Sequence, residues 1–232
     1  MNVGLVLVTA GRGMRMGGMD KGALAITGKS ALSYSLAAFA AFVQHVVVVV
    51  AADRVATWQR IREREAWPVQ TDIVPGGALR QDSVRIGVAA LDLRGGCDIV
   101  MIHDGARPLV TSDMIRACLE AAMRDGAAIL AIPVTDTIKR VIADQVIETL
   151  DRASLWAAQT PQAFRWQLLH DAFDWSDTHG TAPTTDEAGL IEAYGHPVSV
   201  VRGDRTNIKL TEPEDLIVAR ALLNAQMGQT NE

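Results

Sequence analysis

The sequence predicts an α/β fold: a mostly parallel sheet with helices on both faces, and a β-hairpin projecting from it. Three observations predict it. Short apolar runs alternate with helix-like stretches from residue 3 to residue 133, and such alternation implies right-handed βαβ crossovers. The run Val46–Ala51 is continuously apolar, as expected of a strand buried on both faces of a parallel sheet. After Pro133 the rhythm breaks. Thr137–Leu150 alternates apolar and polar residues around Ala143-Asp144-Gln145, the pattern of a hairpin.

Taken in order, Val3–Val8 reads as the first strand and Thr9–Lys21 as a glycine-rich turn. Ser30–Phe42 is an apolar helix with Ser30 as candidate N-cap. Strand Val46–Ala51 precedes a helix near Val55–Arg64, a short strand Thr71–Val74 and a helix Asp82–Leu91, capped by Asp82 or Ser83. Strand Ile99–His103, helix Ser112–Arg124 and strand Ala128–Pro133 complete the wound part. The hairpin is either a projecting arm or an antiparallel edge of the main sheet. Gln159-Thr-Pro-Gln162 reads as a turn before a helix starting near Arg165, and Thr184-Thr-Asp-Glu187 as a capping box for the helix through Ile191. A strand ends at Val201. Thr211-Glu-Pro-Glu214 opens the last helix, with proline inside its first turn.

At 232 residues the chain, 1–232, fits one α/β domain. The net charge is −5 with no basic block, which argues against a nucleic-acid groove. Cys97 and Cys118 lack Cys-x-x-Cys spacing and are expected to be reduced in the core. The histidines are scattered, so no His-rich metal motif is present. The apolar start lacks a basic n-region, and Val46–Val50 is too short to span a bilayer. The expectation is a cytoplasmic protein with no membrane or nucleic-acid partner.

In open parallel sheets, ligands bind at the carboxyl ends of strands. The first such loop, Thr9-Ala-Gly-Arg-Gly-Met-Arg-Met-Gly-Gly-Met-Asp-Lys21, combines glycines with cations, which suits phosphate. Its spacing matches neither the dinucleotide fingerprint nor the P-loop. The alternative is a glycine-rich turn with solvated charges. Asp104, at a strand end, suits a hard divalent ion such as Mg²⁺ together with substrate phosphates; the alternative is a local ion pair with Arg107. His103 reads as packed or hydrogen-bonded. Gly76-Gly77 offers backbone groups to a base edge and Ser83 a hydroxyl, although capping alone explains Asp82 and Ser83. Lys209 gains interest beside Arg15 and Lys21, because phosphoryl transfer is catalysed by positioning and charge neutralisation.

In order along the chain stand Ala10-Gly-x-Gly-x-Arg15-Met with Lys21, and Gly76-Gly-x-x-Arg80-x-x-Ser83. They are followed by His103-Asp-x-Ala-Arg-Pro108, Pro133-Val-x-Asp-Thr137-x-Lys139 and Asp151-Arg152-x-x-Leu-Trp156. Thr160-Pro-Gln162, Thr185-Asp-Glu187 and Asn207-Ile-Lys209-x-Thr-x-Pro-Glu-Asp215 complete the series. Together they resemble the 2-C-methyl-D-erythritol 4-phosphate cytidylyltransferase family. The resemblance implies a Rossmann-like nucleotidyltransferase (GT-A-like) fold and transfer of a cytidylyl group from CTP to a polyol phosphate, with pyrophosphate leaving. It implies CTP binding by Thr9, Ala10, Gly11, Gly13, Gly76, Gly77, Arg80, Ser83, Asp104 and Gly105. Arg15, Lys21 and Lys209 would be catalytic. Asp104, Arg107, Thr137, Arg152, Thr160 and Thr185 would bind the acceptor. Asp104 and Asn207 would hold Mg²⁺ or another divalent cation. The arm, about 135–155, would reach the neighbouring subunit's site in a homodimer.

Three positions depart from the family pattern. Thr9 stands where the opening usually has alanine, Asp20-Lys21-Gly22 replaces the usual Pro-Lys in a shorter loop, and Gly105 replaces an alanine. The Gly-Gly-x-Asp-Lys-Gly form resembles molybdenum-cofactor nucleotidyltransferases. Ribitol-5-phosphate cytidylyltransferase shares most of the motifs, and a non-catalytic nucleotide-binding module is the alternative of a different class.

Overall fold

The computed structural model describes residues 1–11, 20–180, 182 and 184–229. The first half of the described chain comprises β1 (Val3–Val8), β2 (Ala25–Ile26), β3 (Lys29–Ser30), α1 (Ala31–Phe39), β4 (His45–Val50), α2 (Val55–Glu65), β5 (Thr71–Pro75), α3 (Arg80–Asp92) and β6 (Ile99–Asp104). Then come α4 (Ser112–Asp125), β7 (Ala127–Pro133), β8 (Lys139–Ile142), β9 (Gln145–Thr149), β10 (Trp156–Arg165), α5 (Trp166–His179), α6 (Glu187–Tyr194), β11 (Ser199–Arg202) and α7 (Pro213–Gln229).

Seven strands form the main sheet in the order β11-β7-β10-β6-β1-β4-β5. β1 runs parallel to β4 and β6, β4 to β5, and β7 to β11. β10 is antiparallel to both of its neighbours, β6 and β7. Successive side chains of a strand point to opposite faces. Leu5, Leu7, Val46 and Val48 therefore pack with Leu36 and Phe39 of α1. Val6, Val47, Val49 and Ile102 meet Val84 and Val88 of α3 on the other face. Burial on both faces is why these strands read as unbroken apolar runs.

Most predicted elements are present, with boundaries shifted by up to three residues, the largest shift being the end of α1 at Phe39 instead of Phe42. The hairpin is the projecting arm. β8 and β9 form their own two-stranded sheet, apart from the main one. Ala143 and Asp144 take φ of 46° and 61°, the left-handed pair that a two-residue type I′ turn requires.

The expected turn at Gln159–Gln162 is instead the interior of β10. Thr-Pro-Gln has turn chemistry, and proline is normally excluded from central strands. Here the register against β7 shifts between Ala158 and Gln162, and such a bulge accommodates a residue without an N–H.

Local capping also differs. Ser30 sits at the N-cap of α1 but makes no capping bond; its hydroxyl donates to Glu65 (2.8 Å). α3 starts before Asp82 and Ser83, and Asp82 acts from inside the first turn, accepting the Leu79 N–H (3.0 Å). Asp186, not Thr184, caps α6 by accepting the Gly189 N–H (3.0 Å). Asp215, not Glu214, gathers the Thr211 and Glu212 N–H groups at the start of α7. Both cysteines are free thiols; Cys118 is buried and Cys97 half-buried. Among the described residues, no helix is long and apolar enough to cross a membrane.

Candidate active site

The site is built around Asp104, the last residue of β6. Its carboxylate lies 2.7 Å from Lys209 Nζ, 3.6 Å from Arg80 Nε and 3.7 Å from Arg107 Nε. Burial alone would raise its pKa. Lys209 foremost, then Arg80 and Arg107, outweigh burial and hold the carboxyl down at about 2. Arg80 has a second anchor: its Nη1 lies 2.9 and 2.8 Å from the two oxygens of buried Glu187. Burial opposes the charge on Arg80, yet Glu187 and Asp104 together raise its pKa.

Beneath this cluster, buried polar side chains hold one another in place. His103 is fully buried and rests on Phe39, ring centroids 5.1 Å apart. Burial lowers its pKa to about 4, so the imidazole is neutral. Its Nε2 faces the Arg107 carbonyl (3.1 Å), which assigns the proton there. Nδ1 then accepts the Thr160 hydroxyl (2.9 Å), whose oxygen accepts the Asp104 N–H (3.0 Å). Thr160 thus positions Asp104 rather than offering a free hydroxyl. Buried Asn207 donates from Nδ2 to Thr160 O (3.0 Å) and Gln159 Oε1 (3.2 Å), and its backbone carbonyl accepts from Arg107 Nη1 (2.7 Å).

The loop after β5 is held from below. The buried Ser83 hydroxyl accepts the Gly77 N–H (3.2 Å) and donates to the Leu79 carbonyl (3.1 Å). A Cβ at Gly76 would lie 2.7 Å from both Ala10 Cβ and Ser83 Oγ, so only glycine lets the two loops approach this closely.

The three departures from the family pattern are neighbours in space. Thr9 Oγ1 donates to Asp20 Oδ1 (3.1 Å). A Cβ at Gly22 would lie 2.5 Å from Thr9 Oγ1, and one at Gly105 would lie 3.2 Å from Thr9 Cβ. A larger residue at 9 is matched by glycine at 22 and 105.

Two cavities that share Asp104 open on this framework, beside a third of about 710 Å³ lined by Thr9, Ala10, Gly11, Asp20, Gly76 and Gly77 among others. One, about 660 Å³, is lined by Thr9, Ala10, Gly11, Lys21, Gly77 and Ser83 among others. The other, about 160 Å³, is lined by Arg107, Gln159, Thr160, Gln162, Thr185 and Asp186. They share Arg80, Asp104 and Lys209. Among the described lining residues, the cations are Lys21, Arg80, Arg107 and Lys209, against the carboxylates Asp104 and Asp186. Such a surplus attracts a polyphosphate.

Most of the predicted residues therefore converge. Gly13 and Arg15 lie outside the described residues. Gly76 lines only the third cavity, and Gly105, its N–H on the Val8 carbonyl (2.9 Å), lines none of the three. Thr137 and Arg152 are exposed at the base of the arm and line neither cavity. Sequence reasoning passed over Glu187 as a capping residue, and Gln159 and Gln162 as a turn. A carboxylate on the buried face of an apolar helix was the one available signal for Glu187.

Among the described residues, no cluster of three or more His, Cys, Asp or Glu could cage a metal ion. Asp104 and the buried, unpartnered Asn207 Oδ1 supply oxygen donors of the right chemistry for a hard ion. They fit Mg²⁺ as minority ligands, with phosphate and water completing its shell.

A parallel sheet with a glycine loop after its first strand, and two cavities meeting at a cation-ringed carboxylate, define a nucleotidyltransferase. Residues 3–225 match the family described as IspD, 2-C-methyl-D-erythritol 4-phosphate cytidylyltransferase, and the chain belongs to that family. It is 41% identical over 233 residues to 2-C-methyl-D-erythritol 4-phosphate cytidylyltransferase of Bacillus velezensis, covering 98% of each chain. It is 43% identical over 239 residues to that of Pelotomaculum thermopropionicum, covering 99% of this chain and 98% of the relative. The fold is similar to the crystal structure of the Thermus thermophilus enzyme, with TM-score 0.77, 32% identity and coverage of 96% and 98%.

Proposed function

We propose that this site transfers the cytidylyl group of CTP to 2-C-methyl-D-erythritol 4-phosphate, releasing pyrophosphate, in the non-mevalonate route to isoprenoid precursors. One observation carries the assignment of parts: among the described residues, the two cavities meet at Arg80, Asp104 and Lys209, where the two substrates must touch. CTP occupies the larger cavity, its triphosphate along the first loop beside Lys21. The acceptor's phosphate enters the smaller one beside Arg107. An acceptor oxygen forms a new bond to the α-phosphorus as the bond to the β-phosphate oxygen breaks. A phosphate monoester is already ionised at neutral pH, so no general base is required.

The chain's own contribution is positioning and charge. Lys209 and Lys21 face the charge that builds on the α-phosphoryl group, and the family resemblance assigns Arg15 to the same task. Asp104 keeps Lys209 and Arg107 in place, and Glu187 does the same for Arg80. Mg²⁺ or another divalent ion, when bound, neutralises part of the triphosphate charge, with Asp104 and Asn207 as its protein ligands.

Residues 1–232 act as one nucleotidyltransferase domain. The 135–155 arm pairs two copies, so that Thr137 and Arg152 serve the acceptor cavity of the other subunit. The cytoplasm, where CTP is available, is the compartment this reading requires. The test is pyrophosphate release from CTP, GTP, ATP and UTP against methylerythritol phosphate, ribitol phosphate and molybdopterin. CTP with methylerythritol phosphate is expected to be the best pair; any other best pair overturns the substrate assignment.

A further inference from the structure

Asp20 immediately precedes Lys21, and its carboxylate gathers three donors from three parts of the chain. Oδ1 accepts Thr9 Oγ1–H (3.1 Å), from the end of β1, and Gly22 N–H (3.2 Å). Oδ2 accepts the indole N–H of Trp58 (2.6 Å), from the fully buried side chain on α2. A cap for the single helical turn Lys21–Ala23 needs only the Gly22 bond. The other two bonds reach elements 11 and 38 residues away, which capping does not require. The clasp is also closed sterically. A Cβ at Gly22 would meet Thr9 Oγ1 at 2.5 Å and Trp58 Cη2 at 3.3 Å. Half-buried Asp20 carries a raised pKa, with burial the leading cause and its hydrogen bonds opposing it.

We infer that Asp20 is a positioning residue for nucleotidyl transfer: its carboxylate fastens the end of the first loop to β1 and α2, and so fixes where Lys21 presents its ammonium. The inference rests on the reading that Lys21 acts on the triphosphate. Lys21 Nζ reaches the Thr211 carbonyl (3.1 Å), across the mouth of the larger cavity. The direction of its stem is set by the residue before it. This chain thus replaces the family's usual proline with a hydrogen-bonded anchor, and Thr9 and Gly22 are the two residues that make the anchor fit.

Asp20→Asn tests the clasp with little change of volume. An amide offers one acceptor oxygen, so its NH₂ group must oppose one N–H of the clasp, either that of Trp58 or that of Gly22. The expected result is a fall of about 10-fold or more in kcat, as misplacement of a working group produces, with KM for CTP changed much less. The decisive measurement is a cycle with Lys21→Ala. If Asp20 works through Lys21, D20N lowers kcat strongly in the native background and hardly at all once Lys21 is gone. Additive losses, or a lowered Tm with kcat per folded enzyme intact, overturn the inference. Should D20N fail to fold, Thr9→Ala removes one of the three donors; a several-fold fall in kcat that vanishes in the K21A background is expected, and an unchanged kcat overturns the proposal. The underlying reading fails separately, if Lys21→Ala alone leaves turnover intact.

Discussion

The floor of the site and the arm beside it are built on opposite principles. Around Asp104, His103, Thr160 and Asn207 are buried, and each meets a partner within the same chain. On the arm every residue of β8 and β9 is exposed. Val141, Ile142, Val146 and Ile147 are each more than half exposed. A floor of this kind is complete in one chain. A two-stranded ribbon with uncovered apolar residues is marginal by itself and is the kind of surface that the proposed second copy would cover. The contrast separates chemistry, which one subunit holds, from completion of the acceptor pocket, which the proposed dimer supplies.

The largest expected effect breaks the floor. Glu187→Ala leaves half-buried Arg80 with Asp104 as its remaining counter-charge, a loss of about 3 kcal/mol in stability, the low end for breaking a buried pair, measurable by urea unfolding. A loss near zero would mean that Arg80 finds another anchor. Lys209→Ala should lower kcat by about 10²-fold or more, as loss of a preorganised charge contact does, and should also lower the unfolding midpoint, because buried Asp104 loses its nearest counter-charge and keeps only Arg80 and Arg107. Near-normal turnover would remove Lys209 from the transfer step.

The arm gives a smaller effect of a different kind. Val146→Asp puts a charge on the uncovered ribbon without touching the floor. It should shift the protein toward monomer in sedimentation and lower turnover about 10-fold, as misplacement of acceptor-binding groups does, while Tm stays the same. A monomer with full activity would confine the acceptor site to one chain. An effect of another kind is a pH slope. Burial lowers the His103 pKa from 6.5 to about 4, so as pH falls below 6.5 the unfolded chain binds a proton before the folded one does. This contribution to stability is fully present above pH 6.5 and is lost as pH falls toward 4. Urea midpoints for wild type and His103→Gln between about pH 7 and pH 4 should converge; parallel curves would show that His103 does not carry the slope.

The wound half of the fold is legible because each strand is an apolar run bounded by glycine or charge. The arm is legible for the complementary reason: its alternation and its turn need no distant partner. β10 is hidden because Thr160-Pro161-Gln162 has the local chemistry of a turn, and only pairing with β6 and β7, with a register shift that accommodates the proline, makes it a strand. In the site, Asp104, Lys209 and the glycine loops stand out by position at strand ends. Glu187 does not, since its partner Arg80 lies 107 residues away and its local sequence already has a use as a cap. The roles of Thr9, Asp20 and Gly105 show the same limit. Each looks like an isolated departure along the chain, and only their contacts show that they meet in space.

The antiparallel strand has a consequence for when this protein becomes competent. Asp104 ends a strand that can pair with β1 as soon as the first 104 residues are made. Its backbone N–H waits for Thr160 on β10, and its closest counter-charge, Lys209, arrives only just before the last helix. Synthesis from the N-terminus therefore brings Arg80 and Arg107 within reach of Asp104 early, and leaves the carboxylate without its closest counter-charge until Lys209 has emerged. Order of synthesis itself thus withholds activity from the unfinished chain.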